Sequence, residues 1–424
     1  MVVAVRIVAV ARRLSCSLVS RDLPSIGCVS LDALDEGREA VFDVYFRRSR
    51  LECLGVQVGQ NQTGLEKTMK QNKESFGIQK QSKSKKYVIW NNKGGVGKTT
   101  LTYLLSTEYA KQRKDCNIIV IDMCPQTNIS EMLLGGNGKG EENLEKLYEG
   151  DKHIAAYIKA RYDKSRFSKI GSESNYFIKV LKYNQNLKEN IYLLPGHNDL
   201  DLCVQLINYL ASAPEKRAWW HSRAILIDLI ASFEDANSNK ENIFFIDCNP
   251  SFTPYTELAI LASNRLIVPC TADAASIRGL RNILRLVYGK GEEDDNPFFV
   301  FSTSCDREGF DMPKIHSVIQ NKSRSHEKKP SSAFMANIAE LEKVVSAYHV
   351  DYPDLFLSDK KDVLNIKDGN TIATVLNHTG IPLSDLIPLD QKGKKYPIYG
   401  GDTQVTRDQQ ETLIRDLSQV LSIL

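Results

Sequence analysis

Short runs of consecutive apolar residues recur from residue 87 onward, each followed by small or polar residues. Tyr87-Val88-Ile89-Trp90, Asn117 to Asp122, Ile191 to Leu194, Ile243 to Asp247, Arg265 to Pro269 and Phe298 to Ser302 read as six buried strands. Between them the apolar positions change to a helical period. The spacing predicts helices from about Thr99 to Arg113, over Asp273 to Tyr288 with Ile277, Leu280, Ile283, Leu284 and Val287, and over Phe334 to Tyr348. Unbroken apolar strands alternating with helices predict an α/β fold, a mostly parallel twisted sheet with helices on both faces. Ligands of such folds bind at the carboxyl ends of the strands.

The first 85 residues break this pattern. Residues 1–85 read as an N-terminal extension and basic linker, disordered or non-native, ahead of a domain over 86–424. MVVAVRIVAVARRLSCSLVSR has four arginines and no acid, loosely like a targeting presequence but too interrupted for a secretory signal. Met69 opens the Lys-rich stretch 69–86, which reads as a solvated arm, and translation is expected to begin there as an alternative to Met1. Extra helical material is expected near 141–188 and 205–235, and a surface loop over Ser323 to Lys329. Trp219 and Trp220 read as packing residues, and neither His197 nor His221 as catalytic.

Composition narrows the picture little. At 424 residues, with 42% hydrophobic and 25% charged residues, the chain is an ordinary globular one, and a net charge of +3 marks no nucleic-acid binder by itself. Nine cysteines without a CxxC pair read as scattered reduced thiols, and Cys248 and Cys270 as buried thiols rather than cluster ligands. No apolar run reaches the roughly 18 residues of a membrane span.

Chemistry concentrates at KGGVGKTT, residues 93–100, between a predicted strand and a predicted helix. A polyphosphate cradle needs glycines so that backbone N–H groups converge on anionic oxygens, a helix N-terminus behind them, and a lysine. Gly94, Gly95 and Gly97, with Val96 between them, supply the loop, and Lys98 the cation. Thr99 offers a hydroxyl to Mg²⁺ and Thr100 one to an inner phosphate. The usual pattern wants glycine six residues before the lysine. Here that position is Asn92, and a second lysine, Lys93, precedes the glycine pair, which makes the loop a deviant Walker A sequence. Asp247, at the end of IFFID, is placed to hold the Mg²⁺ shell, and Asp122, at the end of NIIVID, follows the same logic.

With these motifs in hand, the chain resembles the ParA family of partition ATPases within the ParA/MinD group of P-loop NTPases. The resemblance rests on NNKGGVGKTT (91–100), VIDMCPQTNIS (120–130), LLPG (193–196), and FFIDCNPSF through LIVPCTAD (244–273), in family order. It implies a homodimer that sandwiches ATP and Mg²⁺, with Lys93 reaching the partner's nucleotide and Asp247 in the Walker B role. It also implies cytoplasmic or nucleoid-associated work in DNA partitioning or cargo positioning, through nonspecific DNA and a DNA-binding partner protein. The family pattern Asp-x-Asp-Pro-Gln reads Asp122-Met123-Cys124-Pro125-Gln126 here, so the carboxylate that orients the attacking water is a thiol. ATP binding with weak hydrolysis is expected, unless Asp122 or Asp273 substitutes for that carboxylate.

Nonspecific DNA binding needs clustered cations. Arg278, Arg281 and Arg285 form one stripe, and further clusters lie at Lys322 to Lys329, Lys360-Lys361 and Lys392 to Lys395. The amphipathic stretch Gln409 to Leu424 carries one arginine against two acids and reads as a core helix rather than a membrane anchor. A nucleotide-gated scaffold or a regulatory component of a mobile-element or defence module, with little catalysis, is the competing functional class.

Overall fold

The computed structural model describes residues 2–9, 40–47, 84–164, 169–271, 273–291, 300–323, 332–358, 363–367, 369–388, 395–398 and 400–424. Two compact units divide the chain, Met1–Gln81 and Ser82–Leu424. In the first, β1 (Val2–Ala9) pairs antiparallel with β2 (Ala40–Arg47).

The second unit is built on one eight-stranded sheet. Its strands are β3 (Lys85–Ile89), β4 (Asn117–Met123), β5 (Ile178–Lys179), β6 (Ile191–Leu194), β7 (Asn242–Cys248), β8 (Arg265–Cys270), β9 (Lys314–Ser323) and β10 (Leu364–Lys367), in spatial order β10-β9-β8-β3-β7-β4-β6-β5. All neighbours run parallel except β5, which pairs antiparallel with β6 at the edge. β11 (Tyr396–Ile398) and β12 (Gly401–Thr403) form a small separate hairpin.

The apolar runs have a direct structural cause. Successive side chains point to opposite faces, and both faces are covered. Val88, Ile119, Ile121, Phe244, Ile246, Leu266 and Val268 join one core, and Ile89, Ile118, Val120, Ile243, Phe245 and Ile267 the other. The second core is closed by α1 (Lys98–Gln112), α2 (Asn128–Leu133), α3 (Lys139–Glu149), α12 (Asn370–Thr379) and α13 (Arg407–Leu421). The first is closed by α4 (Ile154–Lys164), α5 (Leu200–Ala211), α6 (Ala218–Arg223), α7 (Ile225–Ala236), α8 (Pro254–Leu261), α9 (Ala274–Tyr288), α10 (Val300–Glu308) and α11 (Ser332–Asp351).

The doubly covered parallel sheet bears out the expected fold class. α13 packs Leu413, Leu417, Val420 and Leu421 into the core, starting from a capping box of Thr406 and Gln409. Trp219 packs against the core, and Trp220 stacks on Phe310 at 5.7 Å.

Three expectations need correction. The sixth strand does not lie at Phe298–Ser302: residues 300–308 are α10, because Phe301, Ser304 and Cys305 bury one helical face. The strand in that place is β9, in which polar residues interrupt the apolar ones. Lys85 and Lys86, read as part of a solvated arm, belong to β3, and Lys86 pairs with Glu234 at 3.3 Å. Ser323 closes β9, whereas Arg324, Lys328, Lys329, Lys360, Lys361, Lys392 and Lys394 lie outside the described residues.

A candidate phosphate and metal site

The carboxyl ends of β3, β4, β7, β8 and β9 converge on the loop 90–97. Asn91, fully buried, fixes the end of β3. Its Nδ2 donates to Pro269 O at 2.8 Å, and its Oδ1 accepts from Lys93 N at 3.0 Å. Gly279 of α9 lies so close that a Cβ there would stand 2.7 Å from Asn91 Oδ1. Gly95 (φ 72°) and Gly97 (φ 83°) occupy left-handed conformations that only glycine adopts cheaply. Gly97 then starts α1, so its N-terminal N–H groups face the loop. Space stays open around Gly94 and Gly95, where an added Cβ would meet nothing.

Lys98 is buried at the base of the loop. Its Nζ donates to Asn91 O at 3.1 Å and Lys93 O at 3.0 Å. Burial pulls its ammonium below the usual lysine range, opposed by Asp247. Thr99 Oγ1 donates to Asp247 Oδ2 at 2.8 Å, and Thr102 Oγ1 lies 3.1 Å from Asp247 Oδ1. Asp247 pairs with Ile89 on one side and Asp122 on the other in the strand ladders. Burial raises its carboxyl to about 6 against the hydroxyl contacts. A buried carboxylate beside a threonine hydroxyl at a helix N-terminus is a donor set of hard oxygens, the kind Mg²⁺ takes. Thr100 lines a small cavity with Asn321 and Asn370.

Asp122 is placed differently. Its Oδ1 accepts from Cys124 N at 3.0 Å, and its Oδ2 from Ser130 N at 3.2 Å and Ser130 Oγ at 2.6 Å. It therefore ties the end of β4 to α2 and shapes the segment Cys124 to Ser130. Burial, and then Asp247, lift its carboxyl to about 7. The Cys124 thiol is pushed up to about 12 by burial and then by Asp122, and stays protonated at neutral pH. Thr127, at φ 55°, places a β-branched residue in the left-handed region, a cost of roughly 1–2 kcal/mol.

Lys93 lies within its own chain. Its Nζ sits 2.5 Å from Asp273 Oδ2 and 2.7 Å from Thr271 Oγ1. Asp273 also caps α9, its Oδ1 accepting from Ser276 N at 2.9 Å. Burial alone would raise the Asp273 carboxyl; Lys93, Thr271 and Ser276 outweigh it and hold the group below its usual range.

Residues beyond the motifs also shape the site. Thr102 supports Asp247, and Asn321 at the end of β9 donates to Val96 O at 3.0 Å. Thr102 sits one helical turn beyond Lys98, a place the phosphate-loop pattern could have flagged; nothing in the sequence marked β9. His197 stacks on His153 at 4.1 Å, with its Nδ1 accepting from Asp199 N. No group of three or more metal-ligating His, Cys, Asp or Glu exists among the described residues, and no helix among them is long and apolar enough to cross a membrane.

A family model described as "AAA domain" matches residues 84–296. The uncharacterized protein MJECL24 of Methanocaldococcus jannaschii is 30% identical over 211 residues, 49% of this chain and 67% of that protein. Among solved structures, apo McdA of Cyanothece has a TM-score of 0.48 at 17% identity, covering 79% of this chain and 99% of its own. A putative plasmid partition protein of Borrelia burgdorferi bound to AMPPNP has a TM-score of 0.44 at 18% identity, covering 81% and 100%.

Proposed function

The chain belongs to the AAA-domain family, as a ParA-type P-loop protein, and from that premise we propose that it is an ATP-binding dimeric switch with slow hydrolysis. The observation that carries this is the loop itself. Lys98 Nζ contacts backbone carbonyls at the base of an open glycine cradle, and Thr99 already rests on the buried Asp247.

In this reading the N–H groups of residues 94–99 and the Lys98 ammonium bind the phosphates. Thr99 and Asp247 hold Mg²⁺, which supplies charge neutralisation on the outer phosphates. Lys93 leaves Asp273 and places its ammonium on the partner's nucleotide, where charge develops in phosphoryl transfer. Asp122 positions the switch segment rather than taking a proton from water, because its oxygens are engaged by Cys124 and Ser130. Hydrolysis is slow because the protonated Cys124 thiol cannot accept that proton.

The dimer acts in partitioning or cargo positioning in the cytoplasm, on nonspecific DNA and with a DNA-binding partner protein. The plasmid-partition name of the similar Borrelia protein supports this choice. Cys124 also favours a second reading, a nucleotide-gated scaffold with little catalysis. Sedimentation with and without ATP and nonspecific DNA, for the wild type and Lys93→Ala, is the test. A wild type that forms neither dimer nor DNA complex with ATP removes the switch reading and leaves the scaffold.

A further inference from the structure

A cleft of about 870 Å³ opens beside the phosphate loop between α9 and the end of α11. Its basic wall carries Arg278, Arg281 and Arg285, with Lys93 and Lys290 at its ends; its aromatic wall carries Tyr348 and Tyr352. Asp351 is the acid among the described residues of the lining. The arginines follow i, i+3, i+7, so one helix face presents three guanidiniums over roughly 10 Å. All three are exposed, and no described residue pairs with them.

We propose that this cleft is a second nucleotide site, beside the glycine cradle and sharing Lys93 with the phosphate loop, taking a free nucleoside triphosphate. Guanidinium forks bind phosphate oxygens in bidentate fashion. Tyrosine rings offer stacking faces to a base. The volume is that of a small-ligand pocket. Duplex DNA presents its phosphates on a convex rod and is read by charges on an open surface, whereas this basic wall borders a cleft whose other side is aromatic. Because Lys93 belongs to the lining while it is bound to Asp273, an anion here competes with Asp273 for it. Cleft occupancy is thereby coupled to the residue that the dimeric switch needs.

The inference rests on the proposed function in counting the phosphate loop as the first nucleotide site. Equilibrium dialysis of the full chain with labelled ATP and Mg²⁺ tests both. The wild type is expected to bind two ATP per chain. Arg281→Ser/Arg285→Ser should keep the site that Lys98→Ala loses, and Lys98→Ala the one that the arginine variant loses. Photolabelling with 8-azido-ATP should mark the peptide of Tyr348 and Tyr352 in the wild type and fall about tenfold or more in the arginine variant, a readout independent of Lys98→Ala folding. One ATP per wild-type chain, or two in the arginine variant, overturns the second site. Two in Lys98→Ala would instead remove the phosphate-loop reading. Duplex DNA retention lost in the arginine variant, with no second ATP in the wild type, assigns the guanidiniums to nucleic acid and also overturns it.

Discussion

Lys93 and Asp273 form an ion pair at 2.5 Å across 180 residues, joining the phosphate loop to the N-cap of α9. The lysine that the proposed switch sends to a partner is thus held in cis. Asp273→Asn removes the charge but keeps a good capping side chain. The expected result is dimer formation at several-fold lower ATP, read by sedimentation across an ATP series; an unchanged midpoint would show that the pair does not compete with dimerisation. Stability should change by no more than about 1 kcal/mol, because the pair is partly solvated. Asp273 is held below its usual range, so its contribution is present above the unfolded-state value and lost as pH falls through the lowered one. The variant should lack that acid-side loss.

Cys124→Asp should raise ATP turnover, by about 10²-fold if a positioned carboxylate is what the wild type lacks. The wild-type thiol is buried and protonated, and Asp122 beside it is engaged with Ser130. Phosphate release measured for both proteins decides it. Fast wild-type turnover unaffected by the substitution would mean that another group takes the proton.

Much of the site was readable because its chemistry is local. The loop 93–100 needs neighbouring residues only, and strands covered on both faces announce themselves as apolar runs, as in β4 and β7, buried throughout. What escaped was set by distant packing. β9 alternates Ile315, Val318 and Ile319 with Lys314, His316, Ser317 and Gln320, and nothing local shows that Asn321 ends on Val96 O. The run at 298–302 looked like a strand by its aromatic and β-branched content, yet Phe301 and Cys305 pack as helical neighbours. The Lys93–Asp273 pair was equally hidden, since only the fold brings β8's end to the loop.

Asp122 and Asp247 face each other on adjacent strands, both buried, with carboxyls raised to about 7 and about 6. A raised carboxyl binds more protons folded than unfolded, so stability falls as pH climbs from the unfolded-state value near 4 to these values, then levels. The nucleotide-free chain should be less stable at pH 8 than at pH 5, on the order of a few kcal/mol. Thermal unfolding across that range checks it. Asp247→Asn should flatten the slope by removing both its own titration and its repulsion of Asp122. Mg²⁺ with ATP should restore stability at pH 8 in the wild type only, because it favours the ionised Asp247.

Gly279→Ala sets two effects against each other. Alanine in a helix interior gains about 1 kcal/mol over glycine. Here its Cβ would stand 2.7 Å from Asn91 Oδ1, and overpacking of this kind costs about 1–3 kcal/mol. Asn91 has little room to yield, since it holds Pro269 O and Lys93 N at once. Helix propensity therefore loses, and the variant should be destabilised by about 1 kcal/mol in denaturant unfolding. ATP affinity should fall as well, because the displaced amide no longer fixes Lys93 N or the start of the loop. Asn91→Ala combined with Gly279→Ala separates the causes. If the clash is the reason, the second substitution adds little destabilisation once Asn91 is gone. A Gly279→Ala protein more stable than wild type would show that α9 simply moves away, and that the close approach to Asn91 does not hold the loop.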